Sequence, residues 1–216
     1  MSEPATAETV LSNSIGTFAD LVAEGTPSPG GGSVSAYCGV LAASLGQMVC
    51  NLTIGKKKYA ESEARLLIIK PDLERLRIRL RELIAEDAAS FEGVLVAYRL
   101  PKENDEQKVA RSEAIQCALQ NAVAVPLQTA ELSLEVLMFL DEIAKIGNTN
   151  ALSDVAVGAQ LAQTAIRGAS YNIAVNLESI SNPEFVSTAR RKVDELIDQS
   201  KTIADQVEAR IQVQKS

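Results

Sequence analysis

Residues 25–59, GTPSPGGGSVSAYCGVLAASLGQMVCNLTIGKKKY, carry no charged side chain from Gly25 to Gly55 and then close on Lys56, Lys57, Lys58 and Tyr59. Pro27 and Pro29 restrict φ just ahead of Gly30-Gly31-Gly32-Ser33, so the opening reads as a shaped turn and not as a flexible spacer. Behind it, Ser33 to about Ile54 is small and apolar, which predicts a closely packed helix that stops at Gly55. The first N–H groups of such a helix lack partners, and its dipole is positive there. The turn therefore offers a seat to an anion or a polar ligand, with Pro29, Gly30, Gly31, Gly32 and Ser33 as candidate binding residues.

Working outward, the periodicity is helical nearly throughout, and period-two alternation is absent. Thr9 to Ala23 reads as a first helix. Asp72, just after Pro71, begins a third that reaches about Arg99, with Leu73, Leu76, Leu80, Leu83, Phe91, Val94 and Tyr98 on one inward stripe. Asn104 caps a fourth, which passes Pro126 and ends at Gly147-Asn148. Ser153 caps a fifth, reaching about Glu178. Asn182-Pro183-Glu184 places a cap before a proline at the first helical position of the last. The pattern predicts an all-α, elongated bundle of about six helices in one domain spanning residues 1–216. Gly39 with Ala43 and Ala42 with Gly46 let another helix approach closely, either from this chain or from a second subunit.

Composition narrows the chemistry. The 216 residues are 46% hydrophobic but only 4% aromatic, without Trp, so Ala, Val, Ile and Leu must build the core. A formal charge of −7 argues against nucleic-acid binding. Cys38, Cys50 and Cys117 are odd in number and fall within helical patterns, which predicts reduced core thiols in a cytoplasmic protein. Met1 to Ser14 lacks a basic region, so no signal peptide is expected. Ser35, Ser44, Gln47, Asn51 and Thr53 make the uncharged stretch a poor membrane span and a better core helix. With no His in the chain, imidazole acid–base catalysis, Ser/His/Asp triads and His-based zinc sites are excluded. Proton transfer falls to a carboxylate, Lys, Tyr, Cys or water.

Asp87 is the sharpest anomaly, because it continues the stripe of Leu76, Leu80 and Leu83. A carboxylate there is either buried with partners or lines a pocket, and burial would raise its pKa toward a useful range. Asp154 begins a helix, where an acidic residue ordinarily complements the dipole. Lys56, Lys57 and Lys58 read equally well as an anion site or as a solvated run. Asn172 and Asn176, four apart, either bridge helices or meet the donors and acceptors of a heterocycle. The glycine run is neither a Walker loop nor a dinucleotide fingerprint, since it lacks both spacings and a preceding strand.

Thr26-Pro27-x-Pro29-Gly30-Gly31-Gly32-Ser33, Met48 to Tyr59, Asp87-x-x-x-Phe91, Leu100-Pro101-Lys102, Val125-Pro126-Leu127, Gly147-Asn148, Ser153-Asp154 and Asn172-x-x-x-Asn176-Leu177 occur in this order. The set resembles the cyclodeaminase/cyclohydrolase family, which contains the C-terminal domain of formiminotransferase-cyclodeaminase and stand-alone methenyltetrahydrofolate cyclohydrolases. The length and the run up to Tyr59 look closer to the latter. The resemblance implies a helical homodimer holding a folate, polyglutamylated or not, in a cleft near the subunit interface. It implies either hydrolysis of 5,10-methenyltetrahydrofolate to 10-formyltetrahydrofolate or cyclisation of 5-formiminotetrahydrofolate with loss of ammonia. No metal or other cofactor is expected. Asp87 and Asp154 become the catalytic candidates. The glycine turn with Ser33, the three lysines, Asn148, Asn172 and Asn176 become the substrate-binding ones. The rival from another class is a non-catalytic helical dimer or adaptor.

Overall fold

The computed structural model describes residues 14–214, with side chains described to residue 212. Among the described residues there are six α-helices and no strand: α1 Ile15–Ala23, α2 Gly31–Thr53, α3 Ala60–Tyr98, α4 Asp105–Ile146, α5 Leu152–Leu177 and α6 Pro183–Gln214. Single 3-10 turns, Lys57–Tyr59 and Thr149–Ala151, precede α3 and α5. The expected beginning of α1 at Thr9 lies outside the described residues. The all-α bundle is the architecture that the periodicity predicts.

Caps explain most of the boundaries. Ser14 Oγ accepts from Thr17 N–H at the start of α1. Asn104 Oδ1 accepts from Gln107 N–H at the start of α4. Asn182 Oδ1 takes the N–H groups of Glu184 and Phe185, with Pro183 in the first helical position where its missing donor costs nothing. Gly55 turns the chain after α2 with φ of 80°, a conformation open to glycine.

Two boundaries differ from expectation. Helix α3 does not start at Asp72 but runs for 39 residues from Ala60, with Pro71 inside it. The proline lies on the exposed side, between the fully buried Ile69 and Leu73. Water can satisfy the carbonyl it leaves unpaired, while the buried side holds the helix together. Ser153 does not cap α5 either. Asn148 caps the preceding 3-10 turn through Asn150 N–H, and α5 follows directly.

Helix α2 is the axis of the packing. Its Gly39 abuts Ser133 and Leu80, and its Gly46 abuts Leu73 and Leu140. The close partners of Gly39 and Gly46 are therefore α3 and α4 of the same chain. Helix α5 lies antiparallel to α2: Gly31 approaches Asn172, Gly168 approaches Ser35, and Gly158 approaches the Ala42 carbonyl. At the far end Thr53 Oγ1 accepts from Asn148 N–H at 2.9 Å. Ala159, Ala162, Ala165 and Ala169 are buried along α5, so the two backbones come close without large side chains. Leucines of α3 and α4 fill the rest of the core, which is how the chain manages with so few aromatics.

The remaining face of α2 is unlike the others. Val34, Cys38, Leu41, Leu45 and Met48 are half-buried and Leu52 is 42% exposed. Helices α2 and α4 are long and apolar enough to cross a membrane, yet about half of each apolar window (56% and 50%) is buried inside the fold. Of the three thiols, Cys50 is buried, Cys38 half-buried and Cys117 exposed, so Cys117 is not the core residue it was expected to be. Burial pushes the Cys50 thiol up to about 11.

Candidate active site

The turn before α2 keeps Pro29 buried, with a cis Ser28–Pro29 peptide, and delivers the chain into a helix that starts at Gly31. Lying against that start is the carboxylate of Asp87, brought there by α3. A Cβ on Gly32 would stand 2.1 Å from Asp87 Oδ1, so the carboxylate rests directly on the glycine. Ser33 Oγ donates toward Asp87 Oδ2 at 2.9 Å and toward the Ile84 carbonyl at 3.1 Å, sharing its single proton between them. An internal carboxylate thus occupies the helix N-terminus that the sequence offers to a ligand anion.

Burial holds the Asp87 pKa above the ordinary carboxylate value. The Ser33 hydroxyl and backbone N–H act in the opposite sense, and the desolvation prevails. No salt bridge to Asp87 exists among the described residues. Arg79, two turns earlier on α3, is spent on Glu86, Glu82 and Gln128. The result is a half-buried carboxylate supported by hydroxyl and amide dipoles.

Beside it opens a cavity of about 320 Å³ walled by the turn and by Gly31, Gly32, Asp87, Asn172 and Asn176. Asn176 Nδ2 donates to the Ala122 carbonyl of α4 at 3.2 Å and to the Asn172 carbonyl at 2.9 Å, and Asn172 Nδ2 donates to the Gly168 carbonyl at 2.9 Å. Asn176 therefore bridges helices while lining the cavity. Ser90, Phe91, Tyr171 and Val175 complete the mouth. Sequence reasoning missed them as site residues and put Phe91 and Tyr98 in the core. Phe91 is 38% and Tyr98 45% exposed, while Tyr171 is 64% exposed. The available signal was Ser90 and Phe91 standing three and four residues beyond Asp87, and Tyr171 standing next to Asn172.

The other candidates gather elsewhere. Lys56, Lys57 and Lys58 follow the C-terminal end of α2, and Asp154 is in the first turn of α5. From Asp154 to Asn172 is eighteen residues, about 27 Å at 1.5 Å per residue. Within one chain Asp87 and Asp154 do not share a site. Asn148 is buried and its amide is committed to protein: Nδ2 donates to the Leu52 carbonyl at 3.0 Å, and Oδ1 accepts from Asn150 N–H at 3.1 Å. Tyr59, also missed, joins this end. Its hydroxyl lies 3.3 Å from Asn148 Oδ1, 3.1 Å from Thr149 Oγ1 and 3.1 Å from the Thr149 nitrogen, which donates to it. Lys58 Nζ donates to Thr149 Oγ1 at 3.4 Å and sits 5.2 Å from the Tyr59 ring centroid.

Long helices walling a small cavity of mixed apolar and polar lining beside an unpaired carboxylate define a class: an all-helical protein with a pocket for a compact molecule that offers an apolar face and a polar or cationic centre. Within that class the chain belongs to the formiminotransferase-cyclodeaminase family, whose sequence profile matches residues 14–195. It is 38% identical over 193 residues to a methenyltetrahydrofolate cyclohydrolase of Methylorubrum extorquens, covering 89% of this chain and 93% of that one. It is 32% identical to the formimidoyltransferase-cyclodeaminase of Sus scrofa over 94% of this chain, and it spans 38% of that longer protein. The crystal structure of a formiminotetrahydrofolate cyclodeaminase from Thermotoga maritima superposes with a TM-score of 0.86 at 28% identity, covering 96% of this chain and all of the other.

Proposed function

We propose that this protein is a methenyltetrahydrofolate cyclohydrolase, working as a homodimer. The observation that carries the reading is Asp87, a half-buried carboxylate without a cation partner among the described residues, at the wall of a cavity. The methenyl substrate is an amidinium-like cation, so binding it supplies the missing positive charge and presents the electrophilic carbon to a base. Water attacks the bridging carbon, a C–O bond forms, the C=N electron pair moves to nitrogen, and Asp87 takes a proton from the attacking water. The C–N5 bond then breaks, N5 gains a proton, the remaining hydroxyl becomes the formyl carbonyl, and one proton leaves to solvent. No metal or redox group enters this scheme.

The cavity is at the small end of the range of about 300–1,000 Å³ typical of ligand pockets. It suits the reacting bicycle with its pterin between Phe91 and Tyr171, and leaves the benzoylglutamate tail outside. An exposed lysine run suits that anionic tail, polyglutamylated or not, once a second subunit brings it near. Cyclodeamination of 5-formiminotetrahydrofolate is the second reading, favoured by the close likeness to the Thermotoga cyclodeaminase structure. Mixing purified protein with each folate decides: loss of the methenyl absorbance supports the first, ammonia release the second. Neither turnover nor a folate-induced rise in melting temperature would leave the non-catalytic adaptor.

Ser33 supplies a finer test. Its hydroxyl stabilises the ionised form of Asp87, so Ser33→Ala raises that pKa further. The base must be ionised to work, hence the acid limb of the kcat/KM profile moves to higher pH in Ser33→Ala. An unmoved limb would mean that Asp87 is not the titrating base.

A further inference from the structure

We propose that Tyr59, delivered by a second copy of this chain across the outer face of α2 and α5, is the proton donor to the departing ring nitrogen. The inference rests on the folate reading above and adds a residue and its source.

The first observation is the face. Val34, Cys38, Leu41, Leu45, Met48 and Leu52 repeat in steps of four and three along α2. Val157, Leu161, Thr164, Gly168, Tyr171 and Val175 repeat in the same steps along the antiparallel α5. None of these positions is charged, although Leu52, Val157, Tyr171 and Val175 are 42–68% exposed. An uncharged seam of this length on a protein of formal charge −7 suits burial against its own copy better than water.

The second observation is the placement of the two polar ends. The acidic cavity stands where α2 begins and α5 finishes; the basic Lys56–Tyr59 cluster stands where α2 finishes and α5 begins. A two-fold axis through the middle of α2 exchanges the ends, so a shallow crossing of about 20° sets each acidic cavity beside the basic cluster of the other subunit. Both sites are completed at once, with opposite charges facing.

The third observation is the chemistry of the tyrosine. The Thr149 N–H donates to the phenol oxygen, the Thr149 hydroxyl lies 3.1 Å from it with either group able to donate, the phenol donates to Asn148 Oδ1 at 3.3 Å, and the Lys58 ammonium lies beside the ring. The Thr149 hydroxyl, the Thr149 N–H and Lys58, in that order, lower the Tyr59 pKa to about 8. Lys58 is the titratable group acting on it, and the facing 148–150 turn carries no charge. A phenol so held is more acidic than a free one, and its phenolate is stabilised by the Thr149 donors and Lys58. In the second half of the reaction the partner's Tyr59 gives its proton to N5 as the C–N5 bond breaks, and it recovers one from the hydroxyl that becomes the carbonyl. Protons and charge balance without a further reactant.

The test is subunit complementation. Asp87→Asn and Tyr59→Phe homodimers are each expected to lose at least ~10²-fold in kcat. A heterodimer of one Asp87→Asn and one Tyr59→Phe chain, isolated through two different tags, should recover about half of wild-type turnover, because one of its two sites is intact. No recovery, or a fully active Tyr59→Phe homodimer, overturns the proposal. The residual activity of Tyr59→Phe should also lose the alkaline limb near pH 8, which a merely structural tyrosine would not move. Sedimentation separates the two readings: a monomeric wild-type protein overturns the inference whatever it turns over. In a dimeric protein without turnover on either folate, the reaction fails, and with it the tyrosine's role. The seam is then decided by thiol cross-linking of Lys58→Cys to Ser90→Cys between chains in a Cys38→Ser, Cys117→Ser background, where no cross-link sinks it.

Discussion

Asp87→Asn will cut turnover by ~10²-fold or more and raise thermal stability at neutral pH. The loss follows from its place as the base: replacing a positioned carboxylate by its uncharged isostere costs ~10²–10⁴-fold in kcat. The gain follows from burial. Desolvation raises the folded-state pKa above the unfolded value, so the ionised form opposes folding. That penalty is absent at pH values below the unfolded pKa and reaches its full size once pH has risen through the folded pKa. The asparagine keeps the shape and still accepts from Ser33, while shedding the penalty. Melting temperatures of the two proteins should therefore diverge at neutral pH and converge on acidification. A structural carboxylate would show the reverse, with the variant less stable. A gain in stability with loss of rate is the mark of a group held in place for chemistry.

The position of Asp87 on the inward side of α3 was legible because the leucines before it set the phase. What lay beyond it was not. Phe91 and Tyr98 keep the same spacing, yet α2 begins at Gly31, level with Asp87, and nothing of that helix remains to cover the next turn of α3. The stripe continues after its partner has stopped, and the residue after the stop becomes a cavity wall. Val94 and Ala97, turned slightly away, find cover in the second core cluster.

Similar reasoning explains the other differences. Asn182-Pro183 marked the start of α6 because cap and proline agree on one boundary. Pro71 gave no boundary because its ring points to solvent, and the side of a helix that faces water depends on helices distant in sequence. The small residues of α2 announced a close approach but could not name the partners, which are α3, α4 and α5 of the same chain. For the lysines, sequence order could not show that they and the glycine turn mark opposite ends of one helix. One antiparallel pairing, α2 with α5, sets that separation and also makes a symmetric second copy able to reverse it.

Gly32→Ala should be nearly as damaging to turnover as Asp87→Asn, through contact alone. The added methyl would meet Asp87 Oδ1 at 2.1 Å and its Cγ at 2.6 Å, distances no side chain tolerates, so the carboxylate must rotate away from α2. Its way out is the cavity, and in leaving it gives up the 2.9 Å bond from Ser33. Rotation toward water lets the helix stay intact, and the fold should survive with circular dichroism unchanged. The carboxylate would then fill the space meant for the substrate and no longer be aimed at the attacking water, so kcat falls ~10²-fold or more while KM rises. Gly31→Ala is the control, because its methyl would lie 3.5 Å from Asn172 Nδ2, an ordinary contact. Similar losses in both variants would point to the helix N-terminus itself as the functional element. A loss confined to Gly32→Ala would trace the effect to the seat of Asp87.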